Sequence, residues 1–201
     1  MFDQPAFLAS TEGPDRGFDP ILLHVSPGGQ ERPPRSYAAR FPNLVPNGMF
    51  QTPTNDSELS LVSSTRQFQE GAFLTDDGRK LLFVAGDSTY DSEDLYIATR
   101  STSSGTFTSV KPFDHNVVGT NECCPTMAGN VVMYERPIAG GKKEIVSSIL
   151  DGTTLSAPEL VVLPGTNSFQ QPSLSADGTR LVYVVNLGSD WHLEEAELSC
   201  P

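Results

Sequence analysis

Two adjacent cysteines, Cys123 and Cys124, stand out among the residues that could do chemistry, and the carboxylate of Glu122 directly precedes them. Adjacent cysteines can close a vicinal disulfide, bind a soft metal ion, or pair separately, one of them with Cys200. The alternative is that they are inert, because free cysteine is often buried as a small hydrophobic residue. Neither a Cys-x-x-Cys motif nor a histidine pair at ligand spacing accompanies them, so the usual zinc patterns are absent.

An acidic loop is a second candidate, because Asp87, Asp91, Glu93 and Asp94 fall within one short polar segment. Calcium takes roughly six to eight oxygen ligands, and carboxylates commonly supply them. The loop lacks the glycine-turned spacing and the terminal glutamate of an EF-hand. Calcium is therefore the one candidate cofactor, and the alternative is a solvated acidic loop between two strands.

Nucleophilic catalysis finds little support in the sequence, and we assign no catalytic residue. It needs a serine or cysteine beside a base and an orienting group. The chain has 3 histidines, and it contains neither a Gly-x-Ser-x-Gly elbow nor a glycine-rich phosphate loop. A glycosidase needs only two carboxylates at a suitable separation, and 25 acidic residues leave that class of enzyme open.

The elements that would position these residues follow from an internal repeat. The segment from Gly71 to Gly86 aligns without a gap with the segment from Gln171 to Asn186. Each contains an Asp-Gly turn, at Asp77 and Asp177, between apolar runs. A third unit, from Cys124 to Glu135, lies midway between them. The period of about fifty residues is typical of propeller repeats.

Four antiparallel strands are predicted for each unit. A short strand leads through a glycine turn into an apolar strand, as in a hairpin. A third strand follows at 94–99, 144–149 and 191–198. The two units that come first along the chain then continue into a fourth strand, at 107–111 and 155–162. This arrangement is typical of a propeller blade.

Residues 1–67 can be interpreted as a divergent first blade with loop insertions, in which the segment 58–63 would be the fourth strand. The other three blades would occupy approximately 68–115, 116–165 and 166–201. We therefore predict an all-β fold, a propeller or partial propeller of three to four four-stranded antiparallel blades.

The hairpin of the last unit resembles the TolB-type, WD-like propeller repeat. Its sequence from Pro172 to Tyr183, PSLSADGTRLVY, matches the core of that repeat. In the unit that begins at Gly71, Leu95-Tyr96 matches the Ile/Leu-Tyr strand that follows the core of the repeat. The middle unit departs from it, with Ala128-Gly129 at the turn. The resemblance covers residues 68–198 and implies a periplasmic or secreted protein. It is nearly silent on function, because such propellers serve many roles.

Members of that family typically have six or more blades, so three or four imply an open arc or a piece of a longer propeller. An open arc leaves strand edges that can pair with another chain. The expected partner is therefore a protein, or a second copy joined through blade edges.

Propeller ligands usually bind at the mouth of the central channel, beside the first strand of each blade. The side chains expected there are polar or carry a thiol: Gln4, Gln69, Glu70, Glu122, Cys123, Cys124, Gln170 and Gln171. They are the candidate ligand-binding residues, for a metal ion or a sugar. The alternative is that they are hydrogen-bonded polar residues without a ligand.

Charge and hydropathy restrict the partners. A formal net charge of −12 repels nucleic acid and makes an anionic membrane surface a poor partner. No apolar run approaches the roughly 20 residues that a spanning helix needs.

Three functions remain in order of preference. The first is a non-enzymatic binding or scaffold module that engages a protein or other ligand at the channel mouth. The second is a carbohydrate-active enzyme, a glycoside hydrolase or polysaccharide lyase, that uses mouth carboxylates such as Glu70 and Glu122. The third is the accessory propeller of a peptidase.

Overall fold

The computed structural model of the protein describes residues 59–87, 93–103, 105–117 and 120–197. The candidate residues Gln4 and Asp91, the cysteine Cys200, and residues 1–58 of the expected first blade lie outside these ranges.

Within the described ranges the chain forms three antiparallel sheets, each built from strands that follow one another in sequence. The first contains β1 (Phe68–Leu74), β2 (Lys80–Gly86), β3 (Asp94–Thr99) and β4 (Ser109–Pro112). The second contains β5 (Cys123–Ala128), β6 (Val131–Ile138), β7 (Lys142–Asp151), β8 (Thr154–Leu155) and β9 (Glu159–Leu160). The third contains β10 (Ser168–Leu174), β11 (Arg180–Asn186) and β12 (Trp191–Glu197), and a short helix, α1 (Ser60–Ser63), precedes β1. The all-β prediction is confirmed.

Two of the predicted strands differ from the observed ones. The segment 58–63 does not supply a strand, because Ser60–Ser63 form α1, and Leu59 and Val62, three residues apart, are both fully buried. The predicted strand 155–162 is divided into β8 and β9, which both pair with β7. Pro158 lies between these two strands, and a proline cannot donate a ladder hydrogen bond.

The aspartates of the Asp-Gly turns shape the hairpins, as the sequence predicts. The Asp77 carboxylate accepts hydrogen bonds from the Thr75 hydroxyl at 2.6 Å and from the N–H of Arg79 at 2.9 Å. Asp177 accepts the equivalent pair from Ser175 and Thr179. Gly78 and Gly178 adopt φ of 65° and 72°, which an Asp-Gly turn requires of its second residue. The repeated aspartates are therefore turn residues.

The sheets stack through apolar side chains that alternate along their strands. Leu82 and Val84 of the first sheet pack with Val132 and Tyr134 of the second. A separate core joins the second sheet to the third and includes Met133, Ile145, Leu174, Leu181, Tyr183 and Val185. The helix α1 covers the opposite side of the first sheet through Leu59 and Val62.

The first strands of the three sheets lie next to one another, since β5 contacts both β1 and β10. In the part of the chain that the structure describes, the sheets form an arc and do not close into a ring. No helix among these residues combines the length and the apolar character needed to cross a membrane.

Candidate functional site at the channel mouth

A β-bulge occurs at the same point in the first strand of every sheet. The register with the second strand shifts between Glu70 and Phe73 in β1, between Cys123 and Thr126 in β5, and between Gln170 and Ser173 in β10. The bulge re-aims side chains at the start of each first strand. Six of the predicted mouth residues lie inside these strands, at or beside the bulges, whereas Glu122 directly precedes β5: the six are Gln69, Glu70, Cys123, Cys124, Gln170 and Gln171.

The residue after each bulge position has a left-handed backbone. Gly71, Cys124 and Gln171 have φ of 56°, 61° and 49°. This conformation is uncommon for residues other than glycine. Only the first sheet has a glycine at this position, Gly71. The Cα of Gly71 lies close to the backbone of the second sheet, because a Cβ added there would lie 3.4 Å from the nitrogen of Cys124. The bulges are thus where β1 and β5 pack most closely.

The bulges bring together a cluster of titratable groups, here called the mouth cluster: Glu70, Glu93, Cys123, Cys124, Glu135 and Lys143. One carboxylate oxygen each of Glu70 and Glu93 and the sulfur of Cys123 all lie within 4.8 Å of one another. The sulfurs of Cys123 and Cys124 and an oxygen of Glu135 form a second such group. Cys123 belongs to both, so it occupies the centre of the cluster.

Cys123 and Cys124 form a vicinal disulfide, one of the alternatives that the sequence left open. Cys123 is 7% exposed, whereas Cys124 is only partly buried. The sulfur of Cys123 lies 3.8 Å from Oε1 of Glu70. The disulfide therefore adjoins a carboxylate, and Cys124 is the less buried of its two residues.

Glu135 is the most completely buried acid of the cluster, at 2% exposure. Its Oε1 forms an ion pair with the ammonium of Lys143, and its Oε2 accepts a hydrogen bond from the N–H of Gln171 at 2.7 Å. Both of its oxygens are therefore engaged, and one of them fastens the third bulge to the second sheet. Sequence reasoning missed Glu135 and Lys143, although a glutamate directly after the apolar run Val131 to Tyr134 is a signal worth testing.

Electrostatics in the cluster favour the protonated acids. Burial, and after it the charge of Glu70, raises the pKa of Glu93 to about 7. Burial and then Glu135 raise the pKa of Glu70, while Lys143 acts in the opposite direction. Three carboxylates thus share one ammonium, and like charges in a poorly solvated site disfavour full ionisation. The cluster has more negative charge than Lys143 can balance.

Glu122 lies apart from this group. It is 2% exposed, and its Oε1 accepts hydrogen bonds from the hydroxyl of Thr120 at 2.6 Å and the N–H of Val117 at 3.3 Å. Its Oε2 is buried and receives no hydrogen bond in the described structure. Burial raises the pKa of Glu122 against these hydrogen bonds. Its carboxylate is therefore largely committed to the loop that precedes β5.

The two glutamines of the third bulge have structural contacts. Gln170, the counterpart of Glu70 and Cys123, is 8% exposed and donates from Nε2 to the hydroxyl of Ser168 at 3.1 Å. The same hydroxyl accepts the N–H of Lys143 at 2.9 Å. Gln171 is fastened through its backbone to Glu135. These residues join the second and third sheets at the mouth.

The described members of the acidic loop point to different partners. Glu93 joins the mouth cluster, whereas Asp94 forms an ion pair with Arg66 at 3.6 Å. Asp87 is partly buried and belongs to neither of the ligand groups found among the described residues. The side chains that lie near Glu93 belong to Glu70 of β1 and Cys123 of β5 and not to the acidic loop. A calcium site in the loop itself stays a prediction.

A groove opens at the same end of the sheets, beside the third one. Its volume is about 390 Å³, and it lies between Gly141 and Lys142 at the turn before β7 and the loop that begins at Asn186. Ser168, at the start of β10, also lines it. A largely buried charged cluster and an open groove therefore lie at the same end of the sheets.

Comparison with known proteins supports a TolB-like fold. The crystal structure of TolB from Acinetobacter baumannii matches with a TM-score of 0.53 and 17% sequence identity, over 89% of this chain and 41% of that chain. The chain thus spans about two-fifths of the length of that protein, and the similarity concerns the fold alone. Neither a family model nor a curated protein matches the sequence.

Proposed function

We propose that the chain is a non-enzymatic propeller module that binds a ligand at the end of the sheets where β1, β5 and β10 begin, here called the mouth end. One observation carries the proposal. Three first strands lie side by side with bulges at matching positions. This repeated geometry brings Glu70 and Cys123 together and places Gln170 beside Ser168, which lines the groove.

Binding sites commonly combine an open surface with a few positioned polar groups. The groove beside Asn186 supplies the open surface, and the mouth cluster supplies the charge. The net charge of −12 favours a partner with basic groups or a cation over an anionic one.

The contacts give less support to the carbohydrate-active alternative, which uses Glu70 with Glu122. The partner that lies near Glu70 is Glu93, while Thr120 and Val117 hold the carboxylate of Glu122. Two carboxylates that work across a sugar need a defined separation and an open space between them. Glu122, at 2% exposure, offers little of that space.

The proposed partner is a protein, or a second copy bound through a free strand edge. In the described part of the third sheet, β12 pairs only with β11. Trp191 and Leu193 on β12 are 55% and 57% exposed. A strand with one unpaired edge can add a strand of another chain. We also propose a periplasmic or secreted location, which the TolB-type resemblance implies and the vicinal disulfide favours, since disulfides persist in oxidising compartments.

Site-specific photo-crosslinking in the native cell tests this function. A photoreactive phenylalanine analogue replaces Lys142, which is exposed at the groove, and in a matched protein it replaces Asp76, which is exposed at the hairpin turn. We expect a discrete crosslinked product from position 142 and none from position 76. Adding the substitution Glu70→Ala should reduce the product at position 142.

Two results would overturn the proposal. One is a product from position 76 alone, which would place the binding surface at the turns. The other is the absence of a product from both positions in folded protein. Folding of each labelled protein is checked by its thermal unfolding transition.

A further inference from the structure

We propose that the mouth cluster contains a redox-gated site for a thiophilic divalent cation such as Zn²⁺, with Glu70, Glu93 and Cys123 as ligands and Cys124 as the residue that closes the site. The site is available when the vicinal disulfide is reduced, and it is unavailable when Cys123 is bonded to Cys124.

The proposed ligands are already close enough to share an ion. Oxygens of Glu70 and Glu93 and the sulfur of Cys123 lie within 4.8 Å of one another. Zinc binds thiolate and carboxylate ligands in a tetrahedral arrangement, with bonds of about 2.0–2.3 Å. Three protein ligands leave a fourth position for water or for the partner that the module binds.

The ligand set excludes Glu135, although this residue lies within the same distance of both sulfurs. Lys143 and the N–H of Gln171 engage its two oxygens. Moving Glu135 onto an ion would break the contact that holds the third sheet. The carboxylates of Glu70 and Glu93 form no such contact between the second and third sheets.

Glu93 provides an independent indication of a missing ligand. The residue is 7% exposed, yet none of the residues that the structure describes donates a hydrogen bond to its carboxylate. Only its backbone is held, with its N–H donating to Asn121 at 3.3 Å. The carboxylate oxygens of Glu93 keep some contact with solvent, but in this largely buried place they have no protein donor. A cation between Glu93, Glu70 and Cys123 would satisfy them.

The charge of the cluster agrees with this assignment. Among the described residues of the cluster, the carboxylates of Glu70, Glu93 and Glu135 are opposed by one ammonium, that of Lys143. A divalent cation would neutralise both Glu70 and Glu93 and would favour the thiolate of Cys123.

Reduction of the disulfide opens the site by a balanced reaction. A phosphine reductant attacks one sulfur of the disulfide, and the sulfur–sulfur bond breaks. Water supplies two protons and one oxygen, so the products are two thiols and one phosphine oxide. The Zn²⁺ ion then binds the sulfur of Cys123 and releases its proton. A low-molecular-weight disulfide re-oxidises the metal-free dithiol: it accepts the two electrons and two protons, is released as two thiols, and the bond between Cys123 and Cys124 forms again.

This inference deepens the proposed function, because it names one ligand of the mouth end. It rests on that function only for the location of the site. A crosslink from position 142 without zinc binding would overturn the zinc site and leave the binding module standing. Zinc binding without a crosslink from position 142 would leave the zinc site standing and would overturn the binding surface at the groove.

Isothermal titration of the full chain with Zn²⁺ tests the proposal, with the reductant removed under anaerobic conditions. We expect one ion per reduced chain and at least a tenfold weaker affinity in the oxidised chain. Glu70→Gln and Glu93→Gln should each weaken binding at least tenfold, which a lost charged ligand readily accounts for. Glu144→Gln is the matched control, because this glutamate pairs with Arg136 outside the cluster, and its affinity should equal that of the unaltered chain.

Two cysteine variants distinguish the proposed role of Cys123, a metal ligand, from that of Cys124, which closes the site. Both are made together with Cys200→Ser to prevent other disulfide pairings. Cys124→Ser should bind zinc equally well with and without reduction, because Cys123 can no longer be blocked. Cys123→Ser should lose binding and should also lose the ultraviolet thiolate band with Cd²⁺. Equal affinity of the reduced and oxidised chains would overturn the proposal, as would unchanged affinity in Glu70→Gln and Glu93→Gln. Loss of binding in Cys124→Ser, with an unfolding transition like that of the parent, would overturn the assignment of the gate.

Discussion

The carboxylate of Glu135 accepts the backbone N–H of Gln171 at 2.7 Å, and this bond fastens the bulge of the third sheet to the second. The other oxygen of Glu135 pairs with Lys143. Because Gln171 has a left-handed backbone with φ of 49°, its conformation needs support from its surroundings. Glu135 is therefore a structural member of the mouth cluster.

Removal of this carboxylate should be destabilising. Glu135→Ala leaves the partly exposed ammonium of Lys143 and the N–H of Gln171 without this acceptor. We expect a loss of about 1–3 kcal/mol in the free energy of unfolding, measured by urea denaturation. Glu144→Ala is the control, because Glu144 is more exposed and pairs with Arg136, and it should cost less than about 1 kcal/mol. Similar losses in the two variants would contradict the structural role of Glu135.

The Asp177 turn should contribute stability that depends on acid pH. Hydrogen bonds from the Ser175 hydroxyl and then from the N–H and hydroxyl of Thr179 lower the pKa of Asp177 from 3.8 to about 2. The folded value lies below the unfolded one, so this stability is present above pH 3.8 and is lost as pH falls toward 2. Asp177→Ala should therefore lower Tm at pH 7, with a difference from the unaltered chain that shrinks on acidification.

A carboxyl titration followed by nuclear magnetic resonance checks the cause of this effect. Ser175→Ala removes the donor that contributes most, so the titration of Asp177 should move to higher pH. An unchanged midpoint in Ser175→Ala would show that the hydroxyl does not hold the carboxylate.

The helix α1 should contribute to the stability of the first sheet, on which it packs. Leu59 is fully buried in the core that covers the first sheet, whereas Leu61 is 38% exposed. Leu59→Ala should cost about 2–5 kcal/mol, because it removes buried methyl groups and leaves a cavity. Leu61→Ala should cost less than about 1 kcal/mol. Equal costs by urea denaturation would mean that the helix does not pack on the sheet in solution.

The repeat predicted the hairpins well because their turns are local. An aspartate and a glycine between apolar runs determine the turn through hydrogen bonds within a few residues, as at Asp77 and Asp177. The alignment of Gly71 with Gln171 also agrees with the structure, which gives both a left-handed backbone. Local chemistry was enough to locate the first two strands of these blades.

The mouth cluster could be predicted only in part because it is assembled from distant parts of the chain. Glu70 and Cys123 were expected at the mouth, whereas Glu93 was assigned to a calcium loop and Glu135 was not considered. The contacts among them depend on how β1, β5 and β6 stack, and no local pattern encodes that packing. The helix α1 was missed for a similar reason, since its Leu59 and Val62 pack on a sheet that follows them in sequence.

Asn116 should be essential for the outer edge of β3. Its Oδ1 accepts the N–H of Leu95 at 3.1 Å, and its Nδ2 donates to the carbonyl of Leu95 at 2.9 Å. The ladder between β3 and β4 runs from Tyr96 to Thr99, and beyond it the N–H of Phe113 donates to the carbonyl of Leu95 at 3.0 Å. The side chain of Asn116 supplies the acceptor for the N–H of Leu95. Asn116→Ala would leave a buried N–H unsatisfied, and we expect a loss of about 1–3 kcal/mol in the free energy of unfolding.

Hydrogen exchange separates this local effect from general destabilisation. The amide of Leu95 should exchange much faster in Asn116→Ala than in the unaltered chain, while the amide of Leu82, inside the sheet, should change only with global stability. Asn130→Ala is the control, because Asn130 is an exposed turn residue, and its substitution should stay within about 0.5 kcal/mol of the unaltered chain. Unaltered protection at Leu95 would mean that water or another group can take the place of the Asn116 amide.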